Sequence, residues 1–361
     1  MPDILKECAS GGERGTHIWT MIGARHPLPA RCATSMHIEE NVLLGPFTTF
    51  GIGGYAKFFT RARINEELKE ALSFAKEKNL KTFILGGGSN VLINDAGFDG
   101  LVIKIEIEGV AFDGETVLAG AGEQWDTLVK QAVEKDLWGI ENLSGIPGSV
   151  GAAPVQNIGA YGQELKDSLA WVDALDVGSG EVKRLTVEDC GTGYRTSFFK
   201  RKDGWIVVRV ALNLRKNGAP NLSYGDLSRL ELRTLPEIRS AVLEIRSKKF
   251  PNPAEEGSAG SFFLNPVVSA AKAAELAARF PALPQFPAPD GVKISLAWLL
   301  DHALRARGLR VGGARLFEKQ PLVVAACKNA LASDVRALAE YISDKVKKEF
   351  DIVLEPEVRV L

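Results

Sequence analysis

Short apolar runs and two helical repeats alternate along the first 140 residues of the chain. Apolar side chains recur every three or four positions in residues 65–78 and 123–135, which predicts two amphipathic helices, the first capped by Asn65. Short apolar runs between turn residues predict strands at 56–60, 81–85, 91–93, 101–107 and 116–119.

The second half of the chain continues this mixture and then becomes more helical. Strands are predicted at 169–177, 182–186, 205–214 and 322–326, with an aromatic strand inside 257–266. Helices are predicted at 237–246, 269–279, 295–307 and 333–349, the last from a Ser-Asp cap, with a short helical piece ending at Cys190. Elements in this order indicate an α+β fold rather than a βαβ series.

Residues 142–162 break the pattern, because they contain five glycines and not one charged side chain. Loops of this length inside a compact domain are usually functional or disordered, and so apolar a segment does not suit disorder. We expect a folded loop whose small residues let backbone N–H groups approach a large, flat, partly anionic cofactor. The alternative is a plain glycine-rich connection between two strands.

A second glycine segment runs from Gly86 to Asn90, between two apolar runs. Dinucleotide-binding and P-loop glycines open a helix, whereas the Val-Leu-Ile that follows here predicts a strand, so neither motif applies. A tight glycine turn can form an anion-binding nest from successive N–H groups. A simple hairpin turn explains the same residues equally well.

Composition narrows the class of protein. A chain of 361 residues predicts two or three domains, and its net charge of −1 argues against a general nucleic-acid or membrane-surface role. The cysteines Cys8, Cys32, Cys190 and Cys327 are widely spaced, which favours reduced thiols in a cytoplasm over disulfides. The four histidines are equally dispersed, so we expect no metal site, and no apolar run is long enough to predict a membrane span.

Residues 1–36 show no periodicity and lack the apolar core of a signal peptide. We interpret them as a poorly ordered extension, with Met36 as an alternative initiator. Later in the chain, Pro251 and Pro253 interrupt the predicted secondary structure, which predicts a domain boundary near residue 250.

Taken in order, nine short motifs resemble one family. They are residues 49–51 (TFG), 85–90 (LGGGSN), 141–143 (ENL), 145–148 (GIPG), 156–162 (QNIGAYG), 194–200 (YRTSFFK), 260–263 (GSFF), 265–266 (NP) and 355–359 (EPEVR). The chain resembles the UDP-N-acetylenolpyruvoylglucosamine reductases, also called UDP-N-acetylmuramate dehydrogenases, which are flavoenzymes of bacterial peptidoglycan precursor synthesis. The similarity runs from about residue 47 to 361, and the joint match is specific where no single motif is.

The resemblance implies an α+β fold of three domains. An FAD-binding unit of the PCMH/vanillyl-alcohol-oxidase type would comprise subdomain 1 at 37–102, joined by a C-terminal strand at 352–361, and subdomain 2 at 103–250. A C-terminal α+β domain at 251–351 would bind the UDP-sugar.

The resemblance also implies the cofactors. FAD would be bound non-covalently, since neither glycine segment contains histidine or cysteine, and NADPH would reduce it as co-substrate. The implied FAD-binding residues are Gly86, Gly87, Gly88, Ser89, Asn90, Gly145, Ile146, Pro147, Gly148, Gly151, Asn157 and Gly159.

Three further residues match the family's catalytic positions. Hydride from flavin N5 would reach the terminal carbon of the enolpyruvyl ether, and Arg195 and Glu357 would stabilise the enolate that forms. Ser261 would then supply the proton, supported by a neighbour such as Lys249. Taken singly, these residues are equally consistent with a surface ion-pair arginine, a solvent-facing glutamate and a turn serine.

The substrate contacts are carried over from the longer subgroup of the family, in which a loop tyrosine closes over the substrate. The implied substrate-binding residues are Tyr161, Tyr224, Lys249, Asn265, Arg307 and Gln320. Phe317 stands where many relatives have histidine, so the uridine contacts are expected to differ here.

Two other functions are compatible with part of this pattern. The FAD-binding half occurs in flavin oxidases that run other reactions, and a catalytically silent nucleotide-binding or scaffold protein could share the fold. The joint presence of Arg195, Ser261 and Glu357 argues against the silent protein. We expect a cytoplasmic monomer that acts on a small molecule and binds neither nucleic acid nor membrane.

Overall fold

The computed structural model describes residues 36–361. The predicted N-terminal extension therefore lies outside the described residues, as do Cys8 and Cys32. The hypothesis that translation starts at Met36 concerns the same region, and Met36 itself packs against the main hydrophobic core.

The first region of the fold is a four-stranded sheet in the order β1-β2-β5-β3 with a helix on one face. Its elements, with a short additional strand β4, are β1 (Glu39–Leu43), β2 (Tyr55–Ala62), α1 (Asn65–Glu77), β3 (Lys81–Leu85), β4 (Val91–Leu92) and β5 (Phe98–Ile105). Strands β2 and β3 both run parallel to β5, which lies between them. This split βαβ unit is a parallel element that the sequence pattern did not predict.

Helix α1 begins without the predicted cap. Asn65 is the first helical residue, Ile64 occupies the N-cap position, and no side chain caps the helix from there. The Glu67 carboxylate instead accepts a hydrogen bond from the Arg63 N–H at 2.6 Å. A carboxylate in the first turn satisfies a free donor and complements the helix dipole, so the predicted cap is not needed.

The second region is a five-stranded antiparallel sheet in the order β11-β10-β12-β7-β6. Its elements are β6 (Val110–Asp113), β7 (Thr116–Gly120), α2 (Trp125–Glu134), β8 (Gly159–Ala160), β9 (Gln163–Glu164), β10 (Leu169–Asp176), β11 (Glu181–Thr186), α3 (Phe198–Arg201), β12 (Trp205–Asn213) and α4 (Leu235–Lys249), with β8 and β9 forming a separate pair. The helix predicted to end at Cys190 is wrong. The segment is a turn in which the Asp189 carboxylate accepts from the Thr186 N–H and hydroxyl.

The third region contains two small sheets and the longest helix. Its elements are β13 (Val267–Val268), α5 (Ala270–Arg279), β14 (Gln285–Ala288), β15 (Gly291–Ile294), α6 (Leu296–Trp298), β16 (Arg310–Val311), β17 (Ala314–Phe317), β18 (Gln320–Ala326), α7 (Ala332–Phe350) and β19 (Arg359–Val360). A π-helical turn, Leu299–Ala303, follows α6, and Arg305 is left-handed, so the helix predicted to reach residue 307 ends early. The aromatic strand predicted inside 257–266 is replaced by isolated bridges.

Helix α7 begins at Ala332, and its predicted Ser-Asp cap is wrong because Ser333 already lies inside the helix. The Ala332 and Ser333 N–H groups donate to the carboxylate of Asp95, at 2.7 and 3.0 Å. Asp334 accepts from the Leu331 N–H. A side chain of the first region thus caps a helix of the third.

Short 3-10 turns occupy much of the remaining chain. They are Gly45–Phe47, Glu141–Leu143, Val150–Ala152, Pro154–Gln156, Leu165–Asp167 and Gly225–Arg229. Three of them fall in residues 141–156, so the uncharged segment is folded.

The largest core cluster joins the first two regions, and a second fills the third region. The boundary predicted at 102 falls inside β5, while α4 ends at Lys249, next to the boundary predicted at 250. Within residues 36–361, no helix combines the length and apolar character needed to cross a membrane.

Candidate active site

The turn between β3 and β4 presents a row of unpaired donors. Its five consecutive backbone N–H groups have no acceptor among residues 36–361; they belong to Gly86, Gly87, Gly88, Ser89 and Asn90. The hairpin interpretation is wrong, because β3 pairs with β5 whereas β4 pairs with the C-terminal strand β19. Successive unpaired N–H groups in a tight turn are the donors of an anion-binding nest.

The second glycine segment lies directly against this turn. A Cβ atom on Gly87 would lie 2.5 Å from the Gly148 Cα, and one on Gly148 would lie 2.6 Å from the Ser89 hydroxyl oxygen. The N–H groups of Gly148 and Ser149 also lack an acceptor among the described residues. The close approach therefore requires glycine and concentrates free donors at one place.

Two buried hydroxyls beside the glycine segments have the chemistry to bind a cofactor. The side-chain oxygens of Thr49 and Ser149 have no hydrogen-bond partner in the described chain. Buried polar atoms without partners are rare and need an explanation. A diphosphate accepts from N–H and O–H donors alike, so these groups fit the FAD diphosphate.

Both glycine segments line one cavity of 1430 Å³. Ligand sites usually measure about 300–1,000 Å³, so this cavity is large enough for a dinucleotide and a second ligand part. The rest of its wall is formed by residues 48–51, 250–261 and 356–359 and by the turn that carries Arg195. The uncharged segment is therefore a cavity wall rather than a plain connection.

Asn90 connects the parts of this wall. Its side-chain NH₂ donates to the Gln156 side-chain oxygen at 2.7 Å and to the Glu357 backbone carbonyl at 3.0 Å. Its own backbone carbonyl accepts from the Arg359 N–H. One amide thus joins the first glycine turn, the uncharged segment and the C-terminal strand.

Arg195 and Glu357 meet at the cavity. The Arg195 Nε lies 3.0 Å from a carboxylate oxygen of Glu357, and both side chains are largely buried. Arg195 also donates to the Gly159 carbonyl at 2.7 Å, and a side chain at Gly159 would crowd the guanidinium. Arg195 sits at the tip of a two-residue turn with φ of 53°, a conformation that is uncommon for non-glycine residues and is among the kinds of backbone strain found at functional sites.

Glu357 is a largely buried carboxyl on the cavity wall. Burial raises its pKa, and the positive charges of Arg195 and Lys200 offset only part of that effect. Its position is fixed by its backbone N–H, which donates to the Phe262 carbonyl at 2.8 Å. A buried carboxyl whose charged form is disfavoured can hold a proton and donate a hydrogen bond.

Ser261 reaches the same cavity from the third region. The next residues, Phe262 and Phe263, are buried in the third-region core, and Ser261 itself forms a bridge with Val323. Ser261 is half-buried, and its hydroxyl makes no hydrogen bond within the described chain, so it is available to a ligand. The expected support from Lys249 is not seen, since that ammonium pairs with Asp226 at 2.6 Å.

The predicted tyrosines face each other across the cavity rim. Tyr161 is buried and left-handed, with φ of 49°, whereas Tyr224 is 54% exposed. Their rings are 6.4 Å apart, edge to face. Burial raises the pKa of Tyr161, which is offset in part by Arg246 and Lys249. Gln320 also lines the cavity.

Four predicted site residues do not line the large cavity. Gly151 packs against Ala121 and faces a second, adjoining cavity of 410 Å³. The side-chain amide of Asn157 forms hydrogen bonds with other residues of the chain. The Asn265 side-chain oxygen accepts from a backbone N–H, and Arg307 is paired with Asp301.

Arg246 lies at the site although the sequence did not predict it. This guanidinium lines the cavity and donates to the Gly145 carbonyl at 3.0 Å, and burial lowers its pKa. Its sequence signal was its spacing, because residues three apart on a helix share a face and Lys249 was already a candidate. No three His, Cys, Asp or Glu side chains in residues 36–361 are grouped to hold a metal ion.

Comparison with known proteins finds relatives for both parts of the chain. Residues 56–186 match a family model described as an FAD binding domain, and residues 252–361 match the C-terminal domain of UDP-N-acetylenolpyruvoylglucosamine reductase. The chain is 41% identical to the UDP-N-acetylenolpyruvoylglucosamine reductase of Escherichia coli strain K12 over 330 residues, covering 89% of this chain and 96% of the relative. The protein of that name from Salmonella typhi is 41% identical over 327 residues, with 88% and 95% covered.

A solved structure gives the same result. The UDP-N-acetylenolpyruvylglucosamine reductase of Thermus caldophilus superposes with a TM-score of 0.66 at 28% identity, covering 90% of this chain and 99% of that one. The predicted fold class is confirmed. The match of residues 252–361 to the reductase C-terminal domain does not support a flavin oxidase that shares only the FAD-binding half, and the curated relatives do not support a silent scaffold protein. The chain belongs to the family of UDP-N-acetylenolpyruvoylglucosamine reductases, which are FAD-containing oxidoreductases.

Proposed function

We propose that this chain uses NADPH to reduce the enolpyruvyl ether of UDP-N-acetylglucosamine to the lactyl ether, giving UDP-N-acetylmuramate. The observation that supports this most is the meeting of Arg195, Glu357 and Ser261 at one cavity with the glycine nest. The substrate is inferred from the names of the relatives. The chemistry is inferred from Arg195, which is paired with Glu357, and from Ser261 on the wall of the same cavity.

The cofactor would be held by the donors described above. The N–H groups of the Gly86–Asn90 turn, those of Gly148 and Ser149, and the Thr49 and Ser149 hydroxyls would bind the diphosphate, with Arg246 adding a positive charge. When bound, FAD supplies the hydride transfer. The uncharged side chains of residues 145–156 would exclude water from that end of the cavity.

Arg195 and Glu357 would bind the carboxylate end of the enolpyruvyl group. Negative charge develops on this carboxylate and the adjacent carbon during reduction, and fixed donors aimed at such charge are among the strongest catalytic contributions. The guanidinium fork matches a carboxylate, and a protonated Glu357 would donate a further hydrogen bond. Arg195 is already fixed by Gly159 and Glu357, so little reorganisation is needed.

Ser261 would deliver the proton that completes the reduction. The carbon next to the carboxylate must gain a proton after hydride addition, and this needs a positioned donor. The Ser261 hydroxyl is free to turn towards a ligand, whereas its backbone is fixed by Val323 and the buried Phe262 and Phe263. A serine hydroxyl is a weak acid, and it can donate a proton efficiently only if its position is restrained in this way.

The sugar nucleotide would lie towards Tyr161, Tyr224, Lys249 and Gln320, which all line the cavity. Asn265 and Arg307 stay predictions, and Arg307 would have to leave Asp301 to reach a phosphate. That the chain acts as a monomer stays a proposal. We also propose a cytoplasmic location, in keeping with the free thiols Cys190 and Cys327.

The experiment separates the two half-reactions. Ser261→Ala should leave reduction of the flavin by NADPH nearly unchanged and slow its reoxidation by the enolpyruvyl substrate about 10²-fold or more, measured by anaerobic stopped flow. Ser247→Ala, which removes another hydroxyl on the cavity wall, is the control and should change neither rate. Equal slowing of both half-reactions in Ser261→Ala would rule out a proton donor.

A further inference from the structure

Charged groups hold the two peptide groups that flank Gly145. Its N–H donates to the Asp126 carboxylate at 2.5 Å, and its carbonyl accepts from the Arg246 Nε at 3.0 Å. Gly145 is left-handed, with φ of 70°, and a Cβ there would lie 2.8 Å from Leu243. Gly145 is the first residue of the wall segment 145–149. The hydrogen bonds on both sides of it restrict movement of the backbone at this point.

Asp126 is in turn fixed by Arg239. Two nitrogens of that guanidinium donate to the two carboxylate oxygens of Asp126, at 2.6 and 2.7 Å. The Arg239 side chain is only 13% exposed, so the pair is stronger than an ordinary surface salt bridge. Neither residue lines the cavity, and both lie behind its wall.

The charges around Asp126 keep its carboxylate ionised. Burial alone would raise the pKa of Asp126, but the hydrogen bonds from Arg239 and the Gly145 N–H outweigh it and hold the pKa below its usual value. Asp126 also faces the positive charge of the buried Arg246. The carboxylate is therefore ionised and placed between two guanidinium groups and one peptide N–H.

We propose that Asp126 and Arg239 are positioning residues of the FAD site. They fix the backbone at Gly145, and through it the adjacent cavity wall and Arg246. Asp126 and Arg239 tie the first turn of α2 to α4, so the wall is set by two rigid elements. Without Arg239, the half-exposed Asp126 can turn to water and release the Gly145 N–H. The inference rests on FAD binding at this cavity and not on the proposed roles of Arg195, Glu357 and Ser261.

Two variants of opposite charge separate positioning from plain electrostatics. Arg239→Met removes a positive charge and Asp126→Ala removes a negative one. If only the field mattered, loss of the negative charge would tighten the binding of anionic FAD. Positioning instead predicts that each variant weakens FAD binding about tenfold, and that the double variant is no weaker than Asp126→Ala alone.

The measurement is a titration of the full-length chain, stripped of flavin, with FAD, followed by flavin fluorescence. Lys248→Met is the matched control, because Lys248 lies on the same helix and is 68% exposed, and its FAD affinity should stay within about twofold of wild type. Arg239→Lys keeps the charge without the fork and should recover part of the affinity. The melting temperature of each flavin-free variant is recorded beside it.

Unchanged FAD affinity in Arg239→Met, or tighter binding in Asp126→Ala, would overturn the proposal. A lower melting temperature with unchanged affinity would assign the pair to folding alone and would equally overturn it. If wild type itself took up no FAD, the cofactor site would be the part that fails.

Discussion

At the scale of single residues, the site combines burial with backbone strain. Arg195 and Tyr161 both adopt left-handed conformations beside the cavity, and Glu357 is a carboxyl that burial drives towards its neutral form. Each of these features reduces stability, since strained backbone and buried charge are unfavourable on their own. Their concentration at one cavity is typical of a site selected for function rather than for stability.

Glu357→Gln should make the protein more stable at neutral and alkaline pH. Because burial raises the pKa of Glu357 in the folded state, that state binds the proton more tightly, and stability is lost as the pH rises from about 4.5 through the folded-state pKa. The amide avoids this loss. We expect a melting temperature about 2 °C above wild type near pH 8, with the gain vanishing below about pH 4.5, as calorimetry can measure.

Glu340→Gln serves as the control for this change, because that side chain is 70% exposed on α7 and should leave the melting temperature unaltered. A Glu357→Gln protein less stable than wild type near pH 8 would show that its ion pair with Arg195 outweighs the effect of burial.

Sequence reasoning found the cavity residues whose neighbours in the chain identify them. The glycines of residues 86–90, together with Ser261 and Glu357, stand in compact motifs, and the structure brings them to one cavity. Arg246, Asp126 and Arg239 were missed, since their contacts join residues about 20 to 110 positions apart. No local pattern records such contacts.

At the scale of elements, the loops rather than the regular structure form the site. The longer strands and helices followed from periodicity, with errors at caps, at the segment ending at Cys190, at the aromatic strand and at the π-helical turn. Shorter strands such as β1, β6 and β14 to β17 were not predicted. Asp95 caps α7 from more than 200 residues away, and β19 pairs with β4. Such long-range partners explain why the longer elements could be predicted but not their arrangement.

The loop that carries Tyr224 should act on substrate and not on cofactor. Tyr224 is exposed and touches Tyr161 only by its ring edge, while Asn221 beside it bonds to Gly162. We expect Tyr224→Phe to raise the KM for the sugar nucleotide about five- to tenfold, through loss of one hydroxyl contact, with unchanged FAD content.

Steady-state kinetics and the flavin-to-protein absorbance ratio measure the two effects. Tyr341→Phe, which removes an exposed hydroxyl from α7, is the control and should change neither. Loss of flavin colour in Tyr224→Phe would mean that this loop belongs to the cofactor site instead.

At the scale of the whole molecule, one cavity is assembled from the two ends and the middle of the described chain. Asn90 joins the first region to Gln156 and to Glu357, so the C-terminal strand reaches back beside the glycine turn. Ser261 arrives from the third region and Arg195 from the second. The cavity thus places donors for a diphosphate next to a cation and a hydroxyl, which is what the proposed reduction at a bound flavin requires.

The most direct test of this account is an anaerobic titration of the purified full-length protein. We predict that it carries FAD that acid denaturation releases, that NADPH bleaches the flavin absorbance, and that the enolpyruvyl ether of UDP-N-acetylglucosamine restores it with formation of one equivalent of the lactyl ether. A flavin that stays reduced in the presence of this substrate, and recovers its colour only when oxygen is admitted, would contradict the account.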